Sequence, residues 1–395
     1  VKVKKYLSPQ DAVNGMFRSK LWTSEKECRV CGKRSPLISE AIGVCVECLR
    51  SNPEAVEIAM RTHYTERARW GLPREPPRGA RGVRCGLCDL DCVIPEDGVG
   101  YCGLVRNVNG RIVHLSGQPH TAILEYYYDP HPTNCVAYWF CPGATGRGFP
   151  KYSLRRDGER GYVNLAVFYG ACNHDCLFCQ NWFYRELLVR REPRVGIDEL
   201  LGAALDRRVT CVCFFGGDPG PQALHAVYFS KRLLEASKGR VMRICWESNG
   251  HFSTGILPTV AKLSLETGGI VKFDLKAWSP GVYKALTGVD VGNLYRNAEY
   301  MARLSGSRPE VPFFTASILL VPGYIDETEV RNIAGFLAKL SPDIPLSLLA
   351  FYPKYLMDDL PPTSKRHAYE ALRIAKEEGL EKVWIGNSWL LGNHY

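Results

Sequence analysis

The chain has 395 residues, 46% of them apolar, and a formal net charge of +9. That length predicts two or three domains with a large buried core, and no apolar run approaches the ~18 residues that span a bilayer, which argues against a membrane partner. The charge fits an acidic or phosphorylated partner. No Lys/Arg block is dense enough to form a phosphate patch, however, so an ordinary solvated surface is favoured over nucleic-acid binding.

At the N-terminus, Val1-Lys2-Val3-Lys4-Lys5 is charged and lacks the apolar stretch of a signal peptide, so the expectation is a cytoplasmic protein. Sixteen cysteines are the main compositional signal. They sit in a long chain in tight clusters with two- and three-residue gaps, a pattern of metal ligation in a reducing compartment rather than of disulfides.

Taken in chain order, residues 1–70 carry Cys28-x2-Cys31 and Cys45-x2-Cys48, a pair of knuckles. Four thiolates at this spacing suit a tetrahedral Zn2+ ion, with a rubredoxin-like iron as the rival. Such a module either docks a partner or folds the N-terminus. Residues 71–82, rich in Pro, Gly and Arg, read as a linker. A second set, Cys85, Cys88, Cys92 and Cys102, lies in a Cys-rich segment over 83–155. It would hold either an auxiliary iron–sulfur cluster or zinc. Tyr126, Tyr127, Tyr128 and His131 either cover an active-site mouth or pack on the next domain. Cys135 and Cys141 flank an aromatic stretch and read as buried thiols, with a metal site completed by His131 as the alternative.

From residue 160 to 395 the pattern alternates. Apolar, β-rich runs at 162–169, 209–215, 241–247, 270–275, 312–321 and 345–352 predict strands. Helices are expected at 220–238, 256–267, 293–305, 327–340 and 363–379, with one more short strand at 382–386. Alternating β and α with unbroken apolar strands implies a parallel sheet with crossover helices. The fold class is α/β, with a partial (β/α)6 barrel preceded by small Cys-rich metal-binding modules. A closed eightfold barrel and a doubly wound sheet are the alternatives. In all three, ligands bind at the C-terminal ends of the strands. Cys211, Cys213 and Cys245, on the second and third strands, read as small core hydrophobes.

The first of these strands runs into Cys172-Asn173-His174-Asp175-Cys176-Leu177-Phe178-Cys179. Three thiolates can ligate three irons of a [4Fe–4S] cube and leave the fourth open to a small molecule. A zinc loop or buried structural cysteines would use the same spacing. The segments that follow are Gly216-Gly217-Asp218-Pro219, Ser248-Asn249-Gly250, Asp274-Leu275-Lys276 and Val321-Pro322-Gly323. Alternation places Asp274 and Lys276 on one face, where a buried pair is costly unless used or paired.

In this order the segments resemble the radical S-adenosylmethionine (SAM) superfamily over residues 160–390, and within it the pyruvate formate-lyase-activating enzyme group. The Cys85–Cys102 set and the stretch from Pro361 to Asn387 resemble the AmmeMemoRadiSam type of radical SAM protein. The resemblance implies a [4Fe–4S] cluster on Cys172, Cys176 and Cys179 that cleaves SAM to a 5′-deoxyadenosyl radical, fed by an external electron donor. It also implies that Phe178 packs on the adenine side and that Gly216, Gly217 and Asp218 take the amino end of SAM. Ser248, Asn249, Asp274 and Lys276 would line the ribose and substrate side, with Asp274 and Lys276 as catalytic candidates. Two departures stand out. Asp218 replaces the family's Glu and is one methylene shorter, and the His that activating enzymes carry near Phe351–Tyr355 is absent. The second departure weakens the transfer of their substrate, a glycyl-radical enzyme. The reading is an enzyme abstracting hydrogen from an unidentified protein, RNA or small-molecule substrate. An activase for a partner enzyme and a non-catalytic zinc adaptor are the rivals.

Overall fold

The computed structural model describes residues 22–133 and 135–395. The lysine-rich stretch at residues 1–5 lies outside the described residues. Seven parallel strands follow one another in sequence order: β1 (Val163–Tyr169), β2 (Val209–Gly216), β3 (Arg243–Ser248), β4 (Val271–Asp274), β5 (Phe314–Leu320), β6 (Leu346–Ala350) and β7 (Val383–Gly386). β1 is buried at every position and β5 at all but one, because helices cover one face and barrel contents the other. Sequential order is that of a barrel wall; a doubly wound sheet would reverse at a switch point. β1 and β7 do not close on each other. The free edge of β1 is taken by the antiparallel strand Thr121–Pro130, which pairs in turn with Arg194–Gly196. The result is a partial barrel with one parallel strand more than the six main runs, the seventh being the short strand near residue 382.

The strand Thr121–Pro130 comes from the Cys-rich segment, yet it is part of the barrel sheet, from Leu124 beside Tyr169 to Pro130 beside Val163. Its tyrosines do not form a common cover. Tyr126 and Tyr128 donate outward, to Glu199 and to the Ala203 carbonyl, and Tyr127 alone of the three reaches the cavity.

Four expected helices begin or end where the sequence signals them. Asp326 accepts from the Thr328 and Glu329 N–H groups ahead of Glu327–Leu340, and Ser364 from His367 N–H ahead of Lys365–Glu377. Gly268, with φ of +78°, terminates Leu257–Thr267. Ala223–Ala236 follows a short 3-10 turn at Gly220–Gln222. Between residues 160 and 395, three described helices were not anticipated: Tyr184–Arg190, Ile197–Ala204 and Pro280–Thr287. Each spans eight residues or fewer, too few to establish a 3.6-residue period.

The N-terminal knuckles pack against the barrel. Arg50 donates to both oxygens of Asp326 (2.8 and 2.5 Å) and to Glu329 (3.0 Å). Ser39 Oγ and Glu40 N–H both bond Asp359, while Tyr324 Oη donates to the Val44 carbonyl. The module therefore sits on the loops after β5 and β6, at the C-terminal ends of the strands. Its helices Val46–Ser51 and Pro53–Arg69 lie against Pro280–Thr287. Gly281 permits this approach, since a Cβ there would sit 2.0 Å from the Leu49 carbonyl oxygen.

Candidate active site and metal centres

β1 delivers the three-cysteine loop to the barrel mouth, and the loop is held by its backbone and by the residues between its cysteines. Asp175 N–H bonds the Thr287 carbonyl, Leu177 N–H the Leu286 carbonyl, and the Leu177 carbonyl accepts from Leu356 N–H. Asp175 is buried between Arg185 (2.6 Å) and His63 (3.0 Å). Burial disfavours its charge, but His63 and Arg185 outweigh that and hold its carboxyl below the usual range.

Cys172, Cys176 and Cys179 line one open cavity of about 360 Å³ together with Phe178, Gly216, Gly217, Asp218, Ser248, Asn249, Asp274 and Lys276. Every residue that the sequence assigned to the cluster, to SAM or to catalysis is thus brought together at the C-terminal ends of the strands. The other two cysteine sets lie outside this cavity. Burial pushes the Cys176 thiol up to about 12 and raises Cys172 and Cys179 as well. These thiols ionise only with a compensating cation such as iron. Arg185 stands next to Cys179, and its Nε and Nη1 are buried without an acceptor among the described residues. Orphaned donors beside a thiol loop fit the sulfurs of a cluster.

The two glycines also have a structural role. A Cβ on Gly217 would lie 2.0 Å from the Ala171 carbonyl oxygen, and one on Gly216 would lie 2.5 Å from Tyr169 N. Their bareness lets β2 press against the root of the cysteine loop. Gly217 and Asp218 donate their N–H groups to Tyr169 and Ala171 (2.9 and 2.8 Å). Asp218 is also more committed than its sequence suggested. Its carboxylate accepts from Ser248 Oγ (2.9 Å), Asn249 N–H (2.8 Å) and Gly220 N–H (2.8 Å). Burial raises its pKa against these bonds.

Asp274 and Lys276 share a face, as alternation requires, and are paired. Asp274 lies between Lys272 (2.8 Å) and Lys276 (3.3 Å) and accepts from Ser317 Oγ (2.5 Å). Despite its burial, the two ammonium groups hold its carboxyl well below the usual range. Lys272, Glu247, Ser317 and Asn387 also line the cavity and were missed. Lys272 was findable, because it precedes Asp274 by two and so falls on the same face. Asn387 and Ser317 carried no local signal.

The remaining cysteines divide by spacing. Cys28 and Cys48 sulfurs are 3.8 Å apart, and those of Cys31 and Cys45 are 3.7 Å apart. A tetrahedral ion with Zn–S of ~2.3 Å requires sulfurs about 3.8 Å apart. Among the described residues, this is the one group of three or more His, Cys, Asp or Glu whose ligand atoms all lie within 4.8 Å of one another. Cys85, Cys88, Cys92 and Cys102 instead surround a small cavity of about 10 Å³, which Asn173 of the three-cysteine loop also lines. Cys211 and Cys213 are buried in the core as expected, and together with Cys245, Cys135 and Cys141 they line a further cavity.

Residues 166–337 match the family model of the radical SAM superfamily. Over those residues the chain carries a radical SAM domain, and a domain of that class supports an enzyme and implies SAM cleavage with an iron–sulfur cluster. Its relatives are distant. An uncharacterized protein of Methanocaldococcus jannaschii is 24% identical over 323 residues, 77% of this chain and 81% of the relative. Among solved structures, a domain of pyruvate-formate lyase-activating enzyme from Bacteroides vulgatus is 23% identical, with a TM-score of 0.34, over 45% of this chain and 98% of that domain. Streptococcus suis SuiB bound to S-adenosylmethionine is 14% identical, with a TM-score of 0.41, over 57% of this chain and 52% of SuiB. No described helix is long and apolar enough to cross a membrane.

Proposed function

We propose that this enzyme abstracts hydrogen from a polar substrate bound beside Asp274 and Lys276, using a [4Fe–4S] cluster on Cys172, Cys176 and Cys179. The observation that carries the reading is the single cavity in which these cysteines, the orphaned donors of Arg185 and the Lys272–Asp274–Lys276 row converge. A cluster with SAM on its open iron supplies one-electron cleavage to a 5′-deoxyadenosyl radical. The chain's own residues bind and orient. Asp218 places a carboxylate near Cys172 for the amino group of SAM and fixes Ser248 and Asn249 beside it. Phe178 supplies an apolar wall on the adenine side. Lys276 gives one N–H to Asp274, and its other two suit an anionic group of the substrate.

The N-terminal module occupies the loops after β5 and β6, which favours a small molecule or an extended peptide segment over a rigid folded surface. The sulfur spacing at Cys28, Cys31, Cys45 and Cys48 supports one tetrahedral ion, and structural zinc is our reading over a rubredoxin-like iron. The wider arrangement of Cys85, Cys88, Cys92 and Cys102 favours an auxiliary iron–sulfur cluster over zinc. An adaptor with zinc at every set would need single-ion spacing at each. The test is 5′-deoxyadenosine formation by anaerobically reconstituted, dithionite-reduced protein. Cys176→Ala is expected to abolish it with the fold intact; undiminished formation overturns the proposal.

A further inference from the structure

A second, narrow cavity, of about 30 Å³, lies inside the barrel below the first. Five cysteines from three separate parts of the chain line it. Cys211 and Cys213 share one face of β2, and Cys245 on β3 is the register partner of Cys213. Cys135 and Cys141 enter on the segment that leads from the strand Thr121–Pro130 back to β1. Ala137, Phe140 and Ile270 form a small apolar cluster beside them, with Trp139 packed against it. Glu247 and Lys272 line both this cavity and the one above it, so the two are separated by one layer of side chains.

Cys135 and Cys141 also pack against that apolar cluster, and all five cysteines border the one narrow cavity. No three of their sulfurs lie within 4.8 Å of one another, so the arrangement does not suit one tetrahedral ion. A centre in which each sulfur meets a different iron needs the wider spacing. The sulfurs also differ in what they bond. Cys135 Sγ accepts from Ala137 N–H (3.4 Å) and Cys245 Sγ from Ile270 N–H (3.4 Å). The same contact occurs at Cys172, which accepts from His174 N–H (3.3 Å). N–H groups directed at sulfur stabilise thiolates and tune clusters. Cys211 does the reverse: its thiol donates to Asn164 Oδ1 (3.2 Å).

We propose that Cys135, Cys141, Cys213 and Cys245 hold a four-iron cluster within the barrel, one side-chain layer below the substrate cavity. The site stands independently of the cluster on Cys172, Cys176 and Cys179. It is tested by iron and acid-labile sulfide counts on the anaerobically reconstituted full chain, read against its variants. Cys135→Ala/Cys245→Ala, with circular dichroism and zinc content unchanged, is expected to lose about four irons and four sulfides per chain relative to the natural sequence. Unchanged iron in that variant overturns the proposal. Should the variant fail to fold, Cys85→Ala/Cys88→Ala/Cys176→Ala decides the question, because it strips the other two candidate sets. About four irons with matching sulfide remaining supports the site, and none overturns it. A natural-sequence total of about four irons or fewer overturns it whichever variants fold.

Discussion

Asp89 accepts a hydrogen bond from His251 Nδ1 across 2.6 Å, and this contact joins the second cysteine set to the three-cysteine loop. Asp89 follows Cys88 directly. His251 Nε2 and His174 Nε2 each lie 2.8 Å from Tyr283 Oη, and His174 Nδ1 lies 2.9 Å from Asn249 Nδ2. One assignment of protons satisfies every contact. His251 donates to Asp89, Tyr283 to His251, His174 to Tyr283, and Asn249 to His174. Burial, with His251 and Lys276 nearby, pushes the His174 pKa well down, which agrees with its neutral form here.

Breaking this chain at its centre should be felt at both ends. Tyr283→Phe leaves His251 Nε2 and the His174 N–H buried and unpaired. The expected outcome is a loss of about 2–3 kcal/mol, seen as a lower thermal midpoint. The electron paramagnetic resonance signal of the reduced cluster beside Cys172 should also change. A variant with both unaltered would show that the chain is not coupled to the loop.

Gly217→Ala places a methyl group 2.0 Å from the Ala171 carbonyl oxygen, one residue before Cys172. Backbone cannot yield as a flexible side chain would, so the loop must shift. A displacement of about 1 Å at a reacting centre costs about 100-fold in rate. SAM cleavage should fall by at least about that factor while N-terminal zinc stays bound. Assays of 5′-deoxyadenosine and zinc on one preparation check both.

Acid stability should report on Glu159. This fully buried carboxylate accepts from Arg243 (2.8 and 2.7 Å) and from Thr210 (2.5 Å). Burial opposes its charge, but Arg243 and the hydrogen bonds hold its pKa down at about 2. A depressed carboxyl contributes stability that is fully present above its unfolded value, ~4.3. That contribution is lost as pH falls toward the folded value. The difference is worth about 3 kcal/mol. In denaturant titrations, Glu159→Gln should be weaker than the natural protein at pH 6, with the gap closing as pH falls from about 4.5 to about 2.

Zinc removal should loosen the clasp at Arg50. Cys31 is the exposed member of its set, so a mercurial reagent reaches it first. Release of about one zinc per chain is expected. Cys45→Ala should lose that zinc, keep the barrel's iron and be destabilised by several kcal/mol, on the order of the folding energy such ions supply. Iron lost together with the zinc would contradict two separate sites.

The strands were legible where burial is two-sided. β2 and β5 read as unbroken apolar runs because neither face meets water. The three-cysteine loop was legible because its ligands fall within eight residues. The short helices were not, nor was the pairing of Thr121–Pro130 with β1, which depends on partners over thirty residues away. Asp218 shows the limit within a legible motif. Sequence proposed a carboxylate for a ligand, and only the fold reveals that the same carboxylate also holds Ser248 and Asn249.

By itself, the sequence determined the class of fold, the cysteine loop and the knuckle pair, all encoded in local spacing or periodicity. Tertiary structure decided which sulfurs share a single-ion geometry and which surround a void. It also showed that Lys272 joins Asp274 and Lys276, and that Cys135 and Cys141 border the same cavity as Cys213 and Cys245. The physical reason is that ligation and ion pairing act over a few ångströms in space. Where those ångströms separate residues more than a hundred positions apart, composition cannot distinguish a buried thiol from a ligand.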